Sequence, residues 1–314
     1  MARNKIQFQR GLSETGFAEL YASEEQCRGA LEQWRWPNGF ICPECGATKS
    51  SFLAPRRLYQ SAGCGRQTSV AAGTIFYRTK LPLTTWFRAM YLMTQSKNGV
   101  SAMELMRRLH VNYDTAWKLK HKLAQVMLER ESTRRLDERV EVDDSYLGGE
   151  RPGKPGRGAE GKTPFIAAVQ TDWEGRPRRM VLHAVSGFTS EQVRRFAEQR
   201  LAPTADVYSD GLGCFAAVVG HGCAHTTTVS GGGRAAATNP TFKWVNTMLG
   251  NVKSALVGTY RHLDGRHAPL YLAEFQYRFN RRYDLAGMLA RLAYAAVRTP
   301  PMPGHLLKLT EARG

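Results

Sequence analysis

Long apolar runs, cysteine and acidic side chains are what this 314-residue chain has little of. No apolar stretch approaches the roughly 18 residues that suggest a membrane-crossing helix. Residues 1–10 are polar and basic, without the apolar segment of a secretory leader. Six cysteines, at 27, 42, 45, 64, 214 and 223, are too sparse for a disulfide scaffold at this length. These absences predict a protein of a reducing cytoplasm, with a chain long enough to bury one sizeable core and a smaller module or two. Internal repeats and long low-complexity tracts are lacking as well. Acidic residues number 27 against 44 Lys and Arg, giving a net charge of +17 and a pI near 9.9. That balance suits a polyanionic partner, because neutralised phosphates release counterions. A merely soluble basic protein, or one working at an anionic membrane surface, shares the composition. The distribution favours nucleic acid: residues 56–135 hold fifteen Lys/Arg against four Asp/Glu, +11 of the +17, in a segment with helical patterning.

What is present divides into styles. Residues 1–35 are helical in part, with Phe17, Leu20 and Tyr21 as a short amphipathic stripe. From 36 to about 72 the chain is short-stranded and turn-rich. Trp86, Met90, Tyr91 and Met93 are spaced for a buried helix, broken at Lys97-Asn98-Gly99. Ser101 with Glu104 forms a capping-box pattern, and Leu105 and Leu109 continue that helix. His110-Val111-Asn112 connects it to a longer helix from Tyr113, where Ala116, Leu119, Leu123 and Met127 recur while Lys118, Lys120 and Lys122 project between them. Two helices so joined, the second lysine-rich, suit a DNA-binding helix-turn-helix or an ordinary helical hairpin.

Beyond the charged boundary at 130–137 the pattern alternates. Strands are predicted at 139–143, 163–171 and 178–185, the last two joined by the turn Asp172-Trp173-Glu174-Gly175. A Gly/Lys/Arg loop at 148–162 precedes them. A helix over 189–200, a strand over 206–209, a loop containing Gly231-Gly232-Gly233 and a helix over 242–257 follow. This order predicts an α/β fold with a mixed sheet on a ribonuclease-H-like plan. Its boundaries read 1–75 for a zinc-ribbon-like region, 76–135 for the helix-turn-helix, 136–300 for the catalytic domain and 301–314 for a tail.

Asp143 and Asp210 each close a strand, and Asn246 and Lys253 lie seven residues apart on one helix face with Gly250 between them. Two divalent ions about 4 Å apart, held by oxygen ligands, clamp the attacking and leaving oxygens of a phosphodiester. Asp143 and Asp210 at neighbouring strand ends, with a neutral oxygen from Asn246, fit that demand. Strand alternation predicts that only one of Asp143 and Asp144 faces the site. Glu141 shares Asp143's face, as a further ligand or a solvated residue. Glu274, on the helical stretch 270–280, is a candidate third carboxylate.

The segments Val-Glu-Val-Asp-Asp-Ser-Tyr-Leu-Gly-Gly (140–149), Tyr-Ser-Asp-Gly (208–211), Trp-Val-Asn-Thr-Met-Leu-Gly-Asn-Val-Lys (244–253), Gly-Thr-Tyr (258–260) and Glu-Phe-Gln-Tyr-Arg-Phe-Asn-Arg-Arg (274–282) resemble bacterial insertion-sequence transposases of the DDE superfamily. The group meant carries an Asp-Asp-Asn-Lys tetrad and an N-terminal zinc ribbon. The resemblance implies catalytic roles for Asp143, Asp210, Asn246 and Lys253, and Mg²⁺ or Mn²⁺ at the first three. It also implies cleavage of element ends, joining of the freed 3′-hydroxyl to target DNA, and at least a homodimer in the DNA complex. Work on the bacterial nucleoid, in the cytoplasm, goes with it.

Cys42-x2-Cys45 followed by a second such pair signals a structural zinc site. Here the second pair reads Ser61-Ala62-Gly63-Cys64, with serine where the first cysteine belongs. Zn²⁺ at Cys42, Cys45 and Cys64 is therefore incomplete, with Cys27, water or another side chain as possible fourth ligand. A DNA-binding protein without catalysis, or a ribonuclease-H-like nuclease or resolvase, are the competing readings.

Overall fold

The computed structural model describes residues 6–148, 162–229, 239–261, 263–304 and 307. The Gly/Lys/Arg loop apart from its two end residues, the Gly231–Gly233 segment and most of the 301–314 tail lie outside these residues. The chain forms two units. One gathers the chain up to Ser96 with Ala102–Val126 and Asp284–Leu307; the other holds Lys97–Ser101 and Met127–Tyr283. The sequence division was drawn differently, separating 1–75 from 76–135 and running the catalytic part to 300. Helices Glu14–Tyr21 and Glu24–Arg35 of the first 75 residues pack on the helix Leu83–Gln95, which joins the two stretches in one unit.

In the first unit, α1 (Glu14–Tyr21) starts at Ser13, whose hydroxyl accepts from the Gly16 N–H. Helix α2 (Glu24–Arg35) starts with a capping box between Ser23 and Gln26. Phe17 and Tyr21 are buried against Tyr91 and Phe87, with ring centroids 4.7 and 4.9 Å apart. Leu20, expected on that stripe, is 53% exposed, since the aromatic pair four residues apart already fills the contact. Three short antiparallel strands follow: β1 (Ser50–Leu53), β2 (Leu58–Ser61) and β3 (Gln67–Thr68). Trp36, Phe40 and Tyr59 cluster beside them with centroids 5.0 to 5.2 Å apart.

Helix α3 (Leu83–Gln95) buries Trp86, Met90 and Met93. After α4 (Ala102–Leu109) the chain turns through His110, at φ +52°, and Asn112 opens α5 (Tyr113–Ser132) by accepting from the Thr115 N–H at 2.8 Å. Ala116, Leu119, Leu123 and Met127 are buried as the periodicity predicts. Later in the chain α9 (Met288–Ala296) buries Leu289, Leu292 and Ala293 and packs on α2 and α3, which is why residues after 283 belong to this unit.

The second unit is built on a five-stranded mixed sheet. Its strands are β4 (Arg139–Leu147), β5 (Thr163–Thr171), β6 (Pro177–Ala184), β7 (Asp206–Ser209) and β8 (Ala224–Thr227), in the order β6-β5-β4-β7-β8. Pairing is antiparallel from β6 through β4 and parallel from β4 through β8. The short β8 was not foreseen, as four residues carry too little alternation to stand out. Alternating residues of the central strands feed two cores. Val140, Val142, Ile166 and Ala168 meet Val193 and Phe196 of α6 (Ser190–Arg200) on one face. Phe165, Ala167 and Val169 meet Val245, Leu249 and Val252 of α7 (Lys243–Thr259), and Tyr271 and Leu272 of α8 (Ala268–Asn280), on the other.

Helix α8 also bonds directly to the backbone of β6. Asn280 Oδ1 accepts from the Met180 N–H at 2.8 Å and its Nδ2 donates to Met180 O at 3.0 Å; Gln276 Oε1 accepts from the Leu182 N–H at 2.9 Å. Four helical residues rise about 6 Å and two strand residues about 6.6 Å, so the two spacings match. Buried Glu131, near the end of α5, completes the set. It accepts from Gln276 Nε2 at 3.1 Å, Asn280 Nδ2 at 2.7 Å and Arg281 Nη1 at 2.5 Å. The break at Lys97-Asn98-Gly99 requires its glycine, which stands at φ +97° with the space for a Cβ occupied by Glu274 Oε1 at 2.7 Å.

Candidate functional site

Parallel pairing of β4 with β7 ends at Val142 opposite Ser209, so Asp143 and Asp210 emerge side by side. The Leu212 N–H donates to Asp210 Oδ1 at 3.1 Å and fixes that carboxylate in its turn. The preceding Ser209 hydroxyl donates to Asp210 O at 3.1 Å and lies 2.8 Å from His225 Nε2 on β8. Carboxylate oxygens of Asp143, Asp144 and Asp210 all come within 4.8 Å of one another. Asp144 therefore joins the group, against the expectation from strand alternation. Pairing of β7 with β4 goes no further than Ser209, and Asp143 Oδ1 folds back to accept from the Asp144 N–H at 2.8 Å. Burial, and then the neighbouring Asp144 and Asp210 charges, push the Asp143 carboxyl up to about 7, while Lys253 pulls the other way. A half-buried trio of carboxylates repelling one another in this way fits divalent cations, which relieve that repulsion.

Asn246 and Lys253 lie on α7, Asn246 half-buried and Lys253 exposed, with Lys253 near enough to act electrostatically on Asp143. A Cβ added at Gly250, between them, would meet nothing within 4 Å. Glu141 stands outside that trio and is shielded from solvent. It is 2% exposed and its Oε2 accepts from the Trp244 and Val245 N–H groups at 2.8 and 2.9 Å. One carboxylate thus ties the first turn of the Asn246 helix to the strand of Asp143, where the helix dipole also favours an anion. Glu141→Ala is expected to cost about 2 kcal/mol, because two buried amides lose their acceptor. Urea unfolding of this variant checks it, and an unchanged midpoint would remove Glu141 from this role. Glu274 is absent from the carboxylate trio. It is buried on α8, accepts from the Tyr260 hydroxyl at 3.1 Å and pairs with Arg278 at 3.9 Å.

A second convergence lies in the ribbon. Cys42, Cys45 and Cys64 offer sulfurs within 4.8 Å of one another, with Cys42 and Cys64 at 3.7 Å. The Cys45 and Glu44 backbone N–H groups, Cys45 foremost, hold the Cys42 thiol down to about 6. Such a thiolate-stabilising turn fits a metal. Cys27 takes no part: buried in α2, its thiol donates to Tyr21 O at 3.4 Å, and burial pushes it up to about 12.

The three lysines of α5 separate. Lys118 is part-exposed and pairs with Asp114 at 2.6 Å. Lys122 is half-buried, 5.9 Å over the Trp86 ring. Lys120 is 1% exposed, so the expectation that all three project is corrected. It stands four residues after Ala116 and three before Leu123, on the buried stripe itself. That spacing was readable; the alternation of lysines with apolar residues masked it.

Residues 135–280 match the ISXO2-like transposase domain and residues 22–67 the transposase zinc-ribbon domain. Both matches are to transposase domains, so the chain is similar to transposases over these two segments. It is also similar to a protein described as uncharacterized in transposable element ISH50 of Halobacterium salinarum. The two are 27% identical over 214 residues, covering 62% of this chain and 69% of that protein. No helix among the described residues is long and apolar enough to cross a membrane.

Proposed function

We propose that the chain cleaves the ends of an insertion sequence and joins the freed 3′-hydroxyl to target DNA. The observation that carries this reading is the meeting of Asp143, Asp144 and Asp210 where the parallel pairing of β4 with β7 ends. The strand order supports taking the second unit as a ribonuclease-H-like catalytic domain. Asp143 and Asp210 would hold Mg²⁺ or Mn²⁺, with Asn246 giving a neutral oxygen. Bound there, the ions would supply charge stabilisation at the attacking and leaving oxygens. Lys253, as an exposed point charge, binds a phosphate beside the scissile bond. Glu141 keeps that helix in place on the strand. Positioning and charge complementarity supply most of the rate.

The α4–α5 pair would act as a helix-turn-helix that brings DNA to the protein, with Lys118 on a phosphate. The protein would work as a homodimer or larger in the DNA complex, on the bacterial nucleoid. Ser61 favours a second reading, a DNA-binding copy that has lost catalysis. A labelled element-end duplex, Mg²⁺ or Mn²⁺ and a target plasmid distinguish these. Joined product is expected; cleavage without joining would make the protein a nuclease or resolvase. Binding without cleavage in either metal would establish the second reading.

A further inference from the structure

The two turns of the ribbon repeat one backbone. The Cys42 N–H donates to Ala47 O at 2.9 Å and the Gly46 N–H to Cys42 O at 3.0 Å. In the second turn the Ser61 N–H donates to Arg66 O at 2.9 Å and the Gly65 N–H to Ser61 O at 3.0 Å. Gly46 and Gly65 share φ values of +72° and +71°. Ser61 therefore occupies the place that Cys42 occupies in the first turn, with Cys64 in the place of Cys45. The metal-binding scaffold is kept and one donor atom is changed.

The remaining distances suit zinc. Four sulfurs at the usual Zn–S length of about 2.3 Å sit about 3.8 Å apart on a tetrahedron, and Cys42 and Cys64 are 3.7 Å apart. Ser61 Oγ marks the fourth corner, 3.4 Å from Cys45 Sγ. It is a poor donor there. A hydroxyl is neutral at physiological pH and its bond to carbon is shorter than that of a thiolate. One of its lone pairs is engaged by the Gly63 N–H at 3.2 Å. Ser61 is 2% exposed, whereas Cys45 and Cys64 are exposed, so the corner is approached from their side.

We propose that this ribbon is an open zinc site: three thiolates hold the ion, and the fourth coordination place takes an exchangeable external donor, water or a small nitrogen or sulfur ligand. Three protein ligands with one open place is the arrangement of zinc that exchanges and reacts, whereas four closed thiolates make a purely structural ion. The ribbon then keeps its shape without sealing its metal. Its aromatic cluster of Trp36, Phe40 and Tyr59 holds the strands while the ion comes and goes.

The test uses the full chain with Co²⁺ as a spectroscopic stand-in for Zn²⁺. The wild-type protein is expected to bind one ion with the charge-transfer intensity of three thiolates, and added imidazole to shift its visible bands. Ser61→Cys is expected to raise that intensity by about a third, to ignore imidazole, and to hold Zn²⁺ against a chelator at least about 100-fold more tightly. Ser61→Ala is expected to match wild type in thiolate intensity and imidazole response. Two outcomes overturn the proposal. In one, the wild type takes up no Co²⁺ or Zn²⁺ while Ser61→Cys does, making the ribbon metal-free. In the other, the wild type ignores imidazole and Ser61→Ala loses the ion, making the serine a true fourth ligand. None of these readouts depends on DNA cleavage, so they stand apart from the proposed activity.

Discussion

Asp210→Ala protein is expected to cleave element ends at least about 10³-fold more slowly than wild type, in Mg²⁺ and in Mn²⁺ alike. The side chain ends a parallel strand pair, is oriented by the Leu212 N–H and stands among three mutually close carboxylates. In the proposed site its removal takes away one of the three carboxylates that would hold the ions. Burial already disfavours charge at Asp143, and the Asp210 charge adds to that repulsion, which its removal relieves. Thermal unfolding is therefore expected to leave the variant as stable as wild type, or slightly more so. Single-turnover cleavage on a prenicked and an intact duplex gives the rates. Activity within tenfold of wild type would reject Asp210 as a metal ligand.

The second large effect concerns stability. Glu131→Ala is expected to destabilise the second unit by about 3–5 kcal/mol, the cost of leaving a buried charge without its partner. Arg281 and Glu131 are 7% and 1% exposed, and the same carboxylate satisfies Gln276 and Asn280. Three donor groups lose their acceptor at once. In calorimetry the transition of that unit should fall by about 10 °C. Glu131→Gln keeps the volume but loses the charge and turns an amide donor toward other donors, so it should recover less than half. Replacing Glu131 and Arg281 together by methionine should recover more than Glu131→Gln does, since no charge is then stranded. A fall under 3 °C in Glu131→Ala would show that water reaches the site and that the network is worth little.

Much of this was legible because local patterns coincide with local geometry. The strands 163–171 and 206–209 were read at their observed limits, as alternation and turn residues act within a few positions. Asp210 was read correctly as following a strand, but the strand read as closing at Asp143 runs on to Leu147; what stops beside Asp143 is its pairing with β7, a limit set by a segment about sixty residues away. Other features depend on distant partners. Glu141 became a helix clamp only through Trp244 and Val245, about a hundred residues on, and Glu131 only through the 276–281 segment. The capture of Asp144 depends on where β7 stops. Lys120 differs: its place on the buried stripe was available in the sequence, and the surrounding charge hid it.

The amide pairs from Gln276 and Asn280 to Met180 and Leu182 have one more consequence. They make α8 a stand-in for a sixth strand, so β6 does not offer a template to an incoming chain, whether a second copy or a partly folded one. Association by strand addition is directed instead to the short β8 at the opposite border, where four residues give little to hold. In the proposed DNA complex, copies would in this way be kept from meeting through β6.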